Sequence, residues 1–158
     1  MSDIVGCLGC DLTAGRRPLP GGRIQQTRHW VVEHCVGPFG VGTLIVKPTR
    51  HVVHLAELTG EESAEMGPLL QLTASAVTAL TSPEQVYVCL WSHAGGVPGH
   101  IHFVVQPVRR DDSAGHDQFG PALQVAMLRT ADLPDADAVV AFSDRMREHL
   151  AGTIGVGE

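Results

Sequence analysis

The chain of 158 residues has no apolar run approaching the ~20 residues that cross a membrane, and it has no excess of basic charge. Its formal net charge is −6, from 11 lysines and arginines against 17 acidic residues. That balance argues against a nucleic-acid polymer as partner, because such binders carry a basic face. It leaves room for a small nucleotide held by a local site. The start, Met1-Ser2-Asp3, lacks the basic residues and apolar stretch of a secretory signal, so the cytoplasm is the expected compartment. Cysteines are scarce, four in all. Without export they are expected to be thiols or metal ligands rather than disulfides. No internal repeat and no linker divides the sequence, and its length suits one domain with a real core.

What is present centres on His100-Ile101-His102-Phe103-Val104-Val105-Gln106-Pro107. Strand side chains alternate between faces, which puts His100, His102, Val104 and Gln106 on one face. Two imidazoles about 6.6 Å apart, two strand steps of ~3.3 Å, can share a metal, share a phosphate, or divide those jobs. The preceding run, Ser92 to Gly99, is rich in glycine and reads as a loop where backbone can approach a ligand. It follows a strand at Val86–Trp91, so loop and strands form an antiparallel hairpin.

Cys7-Leu8-Gly9-Cys10 comes almost at once. Six residues of lead-in leave no room for the strand that precedes a thioredoxin-like redox pair. Two thiolates at this spacing can reach one tetrahedral zinc if further ligands come from elsewhere. His51 and His54 follow a short apolar strand, Thr43–Val46, that ends at Lys47-Pro48. His51 therefore sits where sites tend to be built. Cys35 and Cys89 stand alone in apolar surroundings and are expected to be buried, inert thiols.

Residues 23–33 read as one or two strands with a bend. Thr59-Gly60-Glu61-Glu62 fits a capping box, hydroxyl first and carboxylate three residues on. Behind it Met66, Leu69, Leu70, Thr73, Val77 and Leu80 recur at helical spacing. Pro68 interrupts that pattern, which predicts a kink or a late helix start. Residues 109–120 read as exposed loop, and a last helix is expected from Pro134 to Leu150, ended by Gly152. The fold class is α+β: an antiparallel sheet with a packed central helix and a C-terminal helix. It forms a single domain over residues 1–158, with a core at about 5–108 and a helical extension at about 121–151.

The ordered set of Cys-x-x-Cys, a strand ending in Lys-Pro-Thr-Arg-His, a Leu-Thr-x-Glu-Glu helix start and a late His-x-His strand resembles the histidine-triad (HIT) superfamily of nucleotide hydrolases and transferases, over residues 7 to 107. That family carries His-x-His-x-His and attacks the α-phosphorus of a nucleotide with the middle histidine. By position the resemblance makes His102 the nucleophile, His100 the first triad histidine and Val104 the third place. Members with the early Cys-x-x-Cys hold zinc, and the matching ligands here are Cys7, Cys10, His51 and His100. Four protein ligands make such a zinc structural. The resemblance further implies a nucleotide as small-molecule partner and a homodimer.

Three positions depart from the family pattern, the first being Val104 at the third triad place, which cannot hydrogen bond. A glutamine usual in the loop before the triad falls at Gly96. The acidic residue that binds ribose falls near Cys35, with Glu33 or His34 as substitutes. Backbone amides of Gly95 and Gly96, with His93, are the expected phosphate donors. A zinc-stabilised nucleotide-binding protein with little turnover is the alternative reading. A catalytic metal on a cupin-like barrel fits less well, since that site wants a glutamate soon after His-x-His where this chain has Val104-Val105-Gln106.

Overall fold

The computed structural model describes residues 3–130 and 132–154. Its centre is a five-stranded, wholly antiparallel sheet of β1 (Arg23–Gln26), β2 (Trp30–His34), β3 (Leu44–Pro48), β4 (Gln85–Ala94) and β5 (Val97–Val108), in the order β1-β2-β3-β5-β4. Around it lie α1 (Leu8–Thr13), α2 (Gly60–Thr81), α3 (Arg110–His116), α4 (Gly120–Thr130) and α5 (Ala136–Ile154). The α+β class expected from the sequence is the one found.

Alternation explains the two layers. Trp30 and Val32, Leu44 and Val46, and Val105 share one sheet face. There they pack with Leu69, Ala76 and Val77 of α2 and with Phe142, Met146 and Leu150 of α5 in one buried cluster. Each fully buried side chain of this size is worth about 1.5–3 kcal/mol. The opposite face carries Glu33, Ile45, Lys47, His100, His102, Val104 and Gln106. Part of it is covered by α4, whose Leu123 and Met127 pack with Cys35, Phe39 and Val108 against Ile45, Tyr87 and Trp91.

The start of α2 is fastened three times. Thr59 Oγ1 accepts from Glu62 N, Glu62 Oε2 accepts from Thr59 N, and Trp30 Nε1 donates to Glu62 O at 2.9 Å. The capping box therefore acts where the sequence puts it. The helix begins at Gly60 and runs through Pro68 to Thr81, so no late start occurs. The residue 23–33 stretch is two strands, β1 and β2.

Three local expectations are corrected. The glycine-rich run is not an open loop. Strand pairing continues to His93↔Pro98 and Ala94↔Val97, so only Gly95 and Gly96 turn, both at positive φ (60° and 82°), as a two-residue hairpin turn requires. Residues 110–116 are helical rather than loop, because Asp112 Oδ2 accepts from Arg109 N at 2.7 Å and two acidic residues occupy the first turn. The last helix starts at Ala136, capped by Asp135, and continues past Gly152 to Ile154. Gly152 holds no positive φ there, so it weakens the helix without stopping it.

Candidate functional site

The N-terminal helix α1 lies against β5 and brings Cys7, at its N-cap, and Cys10, buried within it, to His51 and His100. Their ligand atoms all lie within 4.8 Å of one another. Cys10 Sγ is 3.3 Å from His51 Nδ1 and 3.6 Å from His100 Nδ1. A tetrahedral zinc with Zn–S of ~2.3 Å and Zn–N of ~2.0–2.1 Å places neighbouring ligand atoms about 3.3–3.8 Å apart. The donor set and spacing fit that ion. The tautomer fits too: His100 Nε2 donates to the carbonyl of Pro48 at 2.9 Å, leaving the Nδ1 lone pair facing the cysteines. Burial, then the charge of Lys47, brings the His100 pKa down to about 4, so its ring is neutral and ready to ligate at pH 7. Burial raises the Cys10 thiol, which favours a cation that would stabilise the thiolate.

His102 stands two residues further along β5, half-buried and outside this cluster. Its Nδ1 donates to the carbonyl of His100 at 3.0 Å. A carbonyl can only accept, so the proton is on Nδ1 and the lone pair is on Nε2. Burial lowers its pKa, the His100 carbonyl opposes the shift, and the charge of Lys47 assists it. The result is a neutral imidazole held in one tautomer with one free nitrogen. Trp91 pairs with His102 across the hairpin and stacks edge-on against Phe39, ring centroids 5.5 Å apart.

No protein-family model and no curated protein sequence matches the chain. Solved structures do. A zinc-bound histidine triad family protein from Mycobacterium smegmatis is 22% identical over 96% of this chain and 97% of its own, with a TM-score of 0.69. A hypothetical histidine triad nucleotide-binding protein from Sulfolobus tokodaii is 15% identical over 92% and 93%, with a TM-score of 0.70. A HIT-like protein involved in cell-cycle regulation from Bartonella henselae is 14% identical over 93% and 98%, with a TM-score of 0.66. The fold is that of the histidine-triad proteins. On this histidine-triad fold, the four residues matched to zinc ligands converge in space.

The residues named as phosphate or ribose contacts do not join them. Gly95 and Gly96 are exposed at the hairpin tip, and His93 is exposed beside it. The tip is six or seven residues from His102, roughly 20 Å or more at ~3.3 Å per residue. Its amides do not surround the His102 ring. Glu33 is on the site face but only 1% exposed, and its Oε1 is taken by Lys47. Burial pushes the Glu33 carboxyl up and the Lys47 ammonium down, and each charge opposes the other's shift. His34 is a satisfied core histidine: Nδ1 donates to Cys35 O at 2.8 Å and Nε2 accepts from Gly42 N at 3.0 Å. His54 is exposed and outside the metal-type cluster. Cys35 is buried, its thiol pushed up to about 11 by burial, as an inert thiol should be. Cys89, on the edge strand, is only half-buried.

Two features escaped sequence reasoning. One is the buried Glu33–Lys47 pair, signalled only by two charges inside apolar strands. The other is a cavity of about 600 Å³ between α1 (Leu8, Leu12), the end of β2 (Cys35, Val36) and the start of α5 (Ala136, Val139). Its size and apolar walls are those of a small-molecule site, and its α1 wall is the helix that carries Cys10.

Proposed function

We propose that this chain binds a nucleotide and cleaves or transfers a nucleoside phosphoester or phosphoramidate, such as a dinucleoside polyphosphate or an AMP conjugate, through a covalent nucleotidyl-histidine on His102. The observation that carries the reading is the His102 Nδ1–H hydrogen bond to the His100 carbonyl. It leaves Nε2 as a free nucleophile in a ring that burial keeps neutral. In the first step Nε2 bonds to the α-phosphorus while the P–O or P–N bond to the leaving group breaks. The bonding pair departs with the leaving group, which takes up a proton. Water, or another acceptor, then displaces His102.

Zinc on Cys7, Cys10, His51 and His100 would tie α1 to β5 and brace the strand that holds His102. The ion would be structural, contributing to folding rather than to the reaction. The 600 Å³ cavity has room for a nucleoside, but neither His102 nor the four metal-type residues line it, so it does not carry the reading. The name of the Sulfolobus tokodaii neighbour, a nucleotide-binding protein, agrees with this reading. A homodimer fits the free edge of β4, where Val88 (43% exposed) and Leu90 (36%) lie on the sheet face that α2 covers elsewhere. A cytoplasmic location goes with the reading; no helix among the described residues is long and apolar enough to cross a membrane.

A second reading, nucleotide binding with little turnover, is favoured by Val104, which occupies the third triad place and cannot hydrogen bond. The test is incubation with a panel of adenylated and guanylated compounds, measuring release of nucleoside monophosphate, followed by trapping of labelled nucleotide on the protein. Release with label on His102 supports the enzyme. Binding with neither release nor label supports the second reading, and absence of binding refutes both.

A further inference from the structure

Lys47 is the only lysine in the chain, against ten arginines. It is 1% exposed, and its side chain lies on the sheet face that carries the metal-type cluster and His102. The β3–β5 register runs Leu44↔Val105, Ile45↔Val104, Val46↔Phe103. One step further sets Lys47 beside His102, where same-face cross-strand neighbours have Cβ atoms about 4.5–5.5 Å apart. Its charge is accordingly felt by both His100 and His102.

The pair that Lys47 makes is incomplete. An ammonium has three N–H donors, and among the described residues the one hydrogen bond of Nζ goes to Glu33 Oε1. The other oxygen, Glu33 Oε2, is buried with no hydrogen-bond partner. Both side chains are 2% exposed. A buried ion pair stabilises only when its remaining donors and acceptors are satisfied, and this one has capacity left on both sides. For a purely structural buried pair, arginine's planar fork is the better partner for a carboxylate. A chain that uses arginine at every other cationic position has a lysine here, a compact point charge whose two remaining donors are uncommitted among the described residues.

Resting on the nucleotide reading above, we propose that Lys47, held by Glu33, is the positioning cation of the site: it draws the phosphoryl oxygens of the substrate to His102 and so supplies the positive charge that the third triad place, Val104, cannot. A preorganised charge beside the attacked phosphorus is worth more in this water-poor setting than at a surface.

The test titrates the full-length protein with inorganic phosphate, following tryptophan fluorescence in a Trp30→Phe background, where the signal comes from Trp91, which pairs with His102. Wild type binds phosphate. The double variant Glu33→Leu/Lys47→Met replaces the pair with apolar side chains of similar volume, so it folds with an unchanged or raised melting temperature. It binds phosphate at least tenfold more weakly, whereas Lys47→Arg stays within about threefold of wild type. Protein carrying ¹³C-labelled lysine gives a single ε-CH₂ resonance from the side chain, and phosphate shifts it; this arm needs no variant. Unchanged phosphate affinity in the double variant, no binding by wild type, or an unmoved lysine resonance would each show the pair to be structural only. Adenosine and AMP in parallel separate the two readings. Phosphate binding lost with Lys47 but no affinity for either nucleoside compound upholds the cation and sinks the nucleotide. AMP binding that is indifferent to Lys47 does the reverse.

Discussion

Gly9→Ala probes the joint between α1 and β5 with one methyl group. A Cβ at position 9 would stand 2.8 Å from His100 Nδ1, 3.1 Å from its Cγ and 3.2 Å from its Cβ. Ordinary contact needs about 3.5 Å or more, so the ring or the helix must retreat by roughly half an ångström. The ring cannot swing away freely, because Nε2 is tethered to the Pro48 carbonyl at 2.9 Å. Breaking that tether costs about 1 kcal/mol. Moving a ligand atom by this much should cost metal affinity about as much as losing an outer-shell partner does, 10- to 100-fold. That corresponds to roughly 1.4–2.8 kcal/mol of the stability that metal linkage confers. The assay is competition for zinc with a chromophoric chelator, alongside melting curves with and without chelation. Wild type and Gly9→Ala should differ more in the zinc-loaded state than after metal is removed, where only the packing cost remains. Equal zinc affinity in the two proteins would refute the packing argument, and a zinc-free, equally stable wild type would refute the metal site itself.

His102→Ala should abolish turnover, by roughly 10³-fold or more if the covalent route is lost, while zinc content and melting temperature hold; label that still attaches to the variant would point to another nucleophile. In the chelated protein, His100 has a folded pKa of about 4 against 6.5 unfolded, so its contribution is complete above pH 6.5 and drains away as pH falls toward 4. The loss is on the order of 3 kcal/mol, and a flat melting temperature between pH 6.5 and 5 would contradict it. Glu62 is held down to about 2, first by its hydrogen bonds from Arg50 and also by Thr59. Its contribution is full above pH 4.5 and is lost as pH falls through 2. Glu62→Gln should cost about 2 kcal/mol at pH 7, allowing for the partly exposed Arg50. Denaturant midpoints that match wild type at pH 7 would exclude that value.

How much of this was legible in the sequence depended on whether the determinants are local. The capping box at Thr59–Glu62 and the apolar periodicity behind it depend on neighbours within one or two turns, so α2 could be read directly. The zinc-type ligands were legible as residues, because a Cys-x-x-Cys pair suits a tetrahedral metal and the resemblance supplies His51 and His100 as its partners. Their convergence depends on α1 docking on β5, which spans 90 residues of sequence between Cys10 and His100. Helix α3 was missed because its sequence, Arg-Asp-Asp-Ser-Ala-Gly-His, has no apolar stripe; its caps and first-turn acids hold it instead. The glycine-rich run was misread because Gly-Gly marks a two-residue hairpin turn as well as a phosphate-binding loop, and only the pairing of Ala94 with Val97 distinguishes the two. Glu33 enters as a substitute for the acidic ribose contact because the family position falls near Cys35; its pairing with Lys47 depends on the β2–β3 register and is not signalled locally.

Position 104, which the resemblance matches to the third triad histidine, lies under α4. Val104 is 1% exposed and pairs with Ile45 on one side and Cys89 on the other. The next same-face residue, Gln106, is fully buried; its Nε2 donates to Met127 Sδ and its Oε1 accepts from Gln124 Nε2, both at 3.1 Å. Both partners belong to α4, whose Leu123 and Met127 also pack against Ile45 and Trp91. The face beyond His102 is therefore roofed by a helix. A histidine at 104 would be buried beneath that roof with no water to serve its second nitrogen, at a cost of roughly 1–3 kcal/mol. Valine removes the cost and, being β-branched, suits the strand. Once the helix covers this end, the nearest charge on the same sheet face is the buried ammonium of Lys47, one strand over on β3.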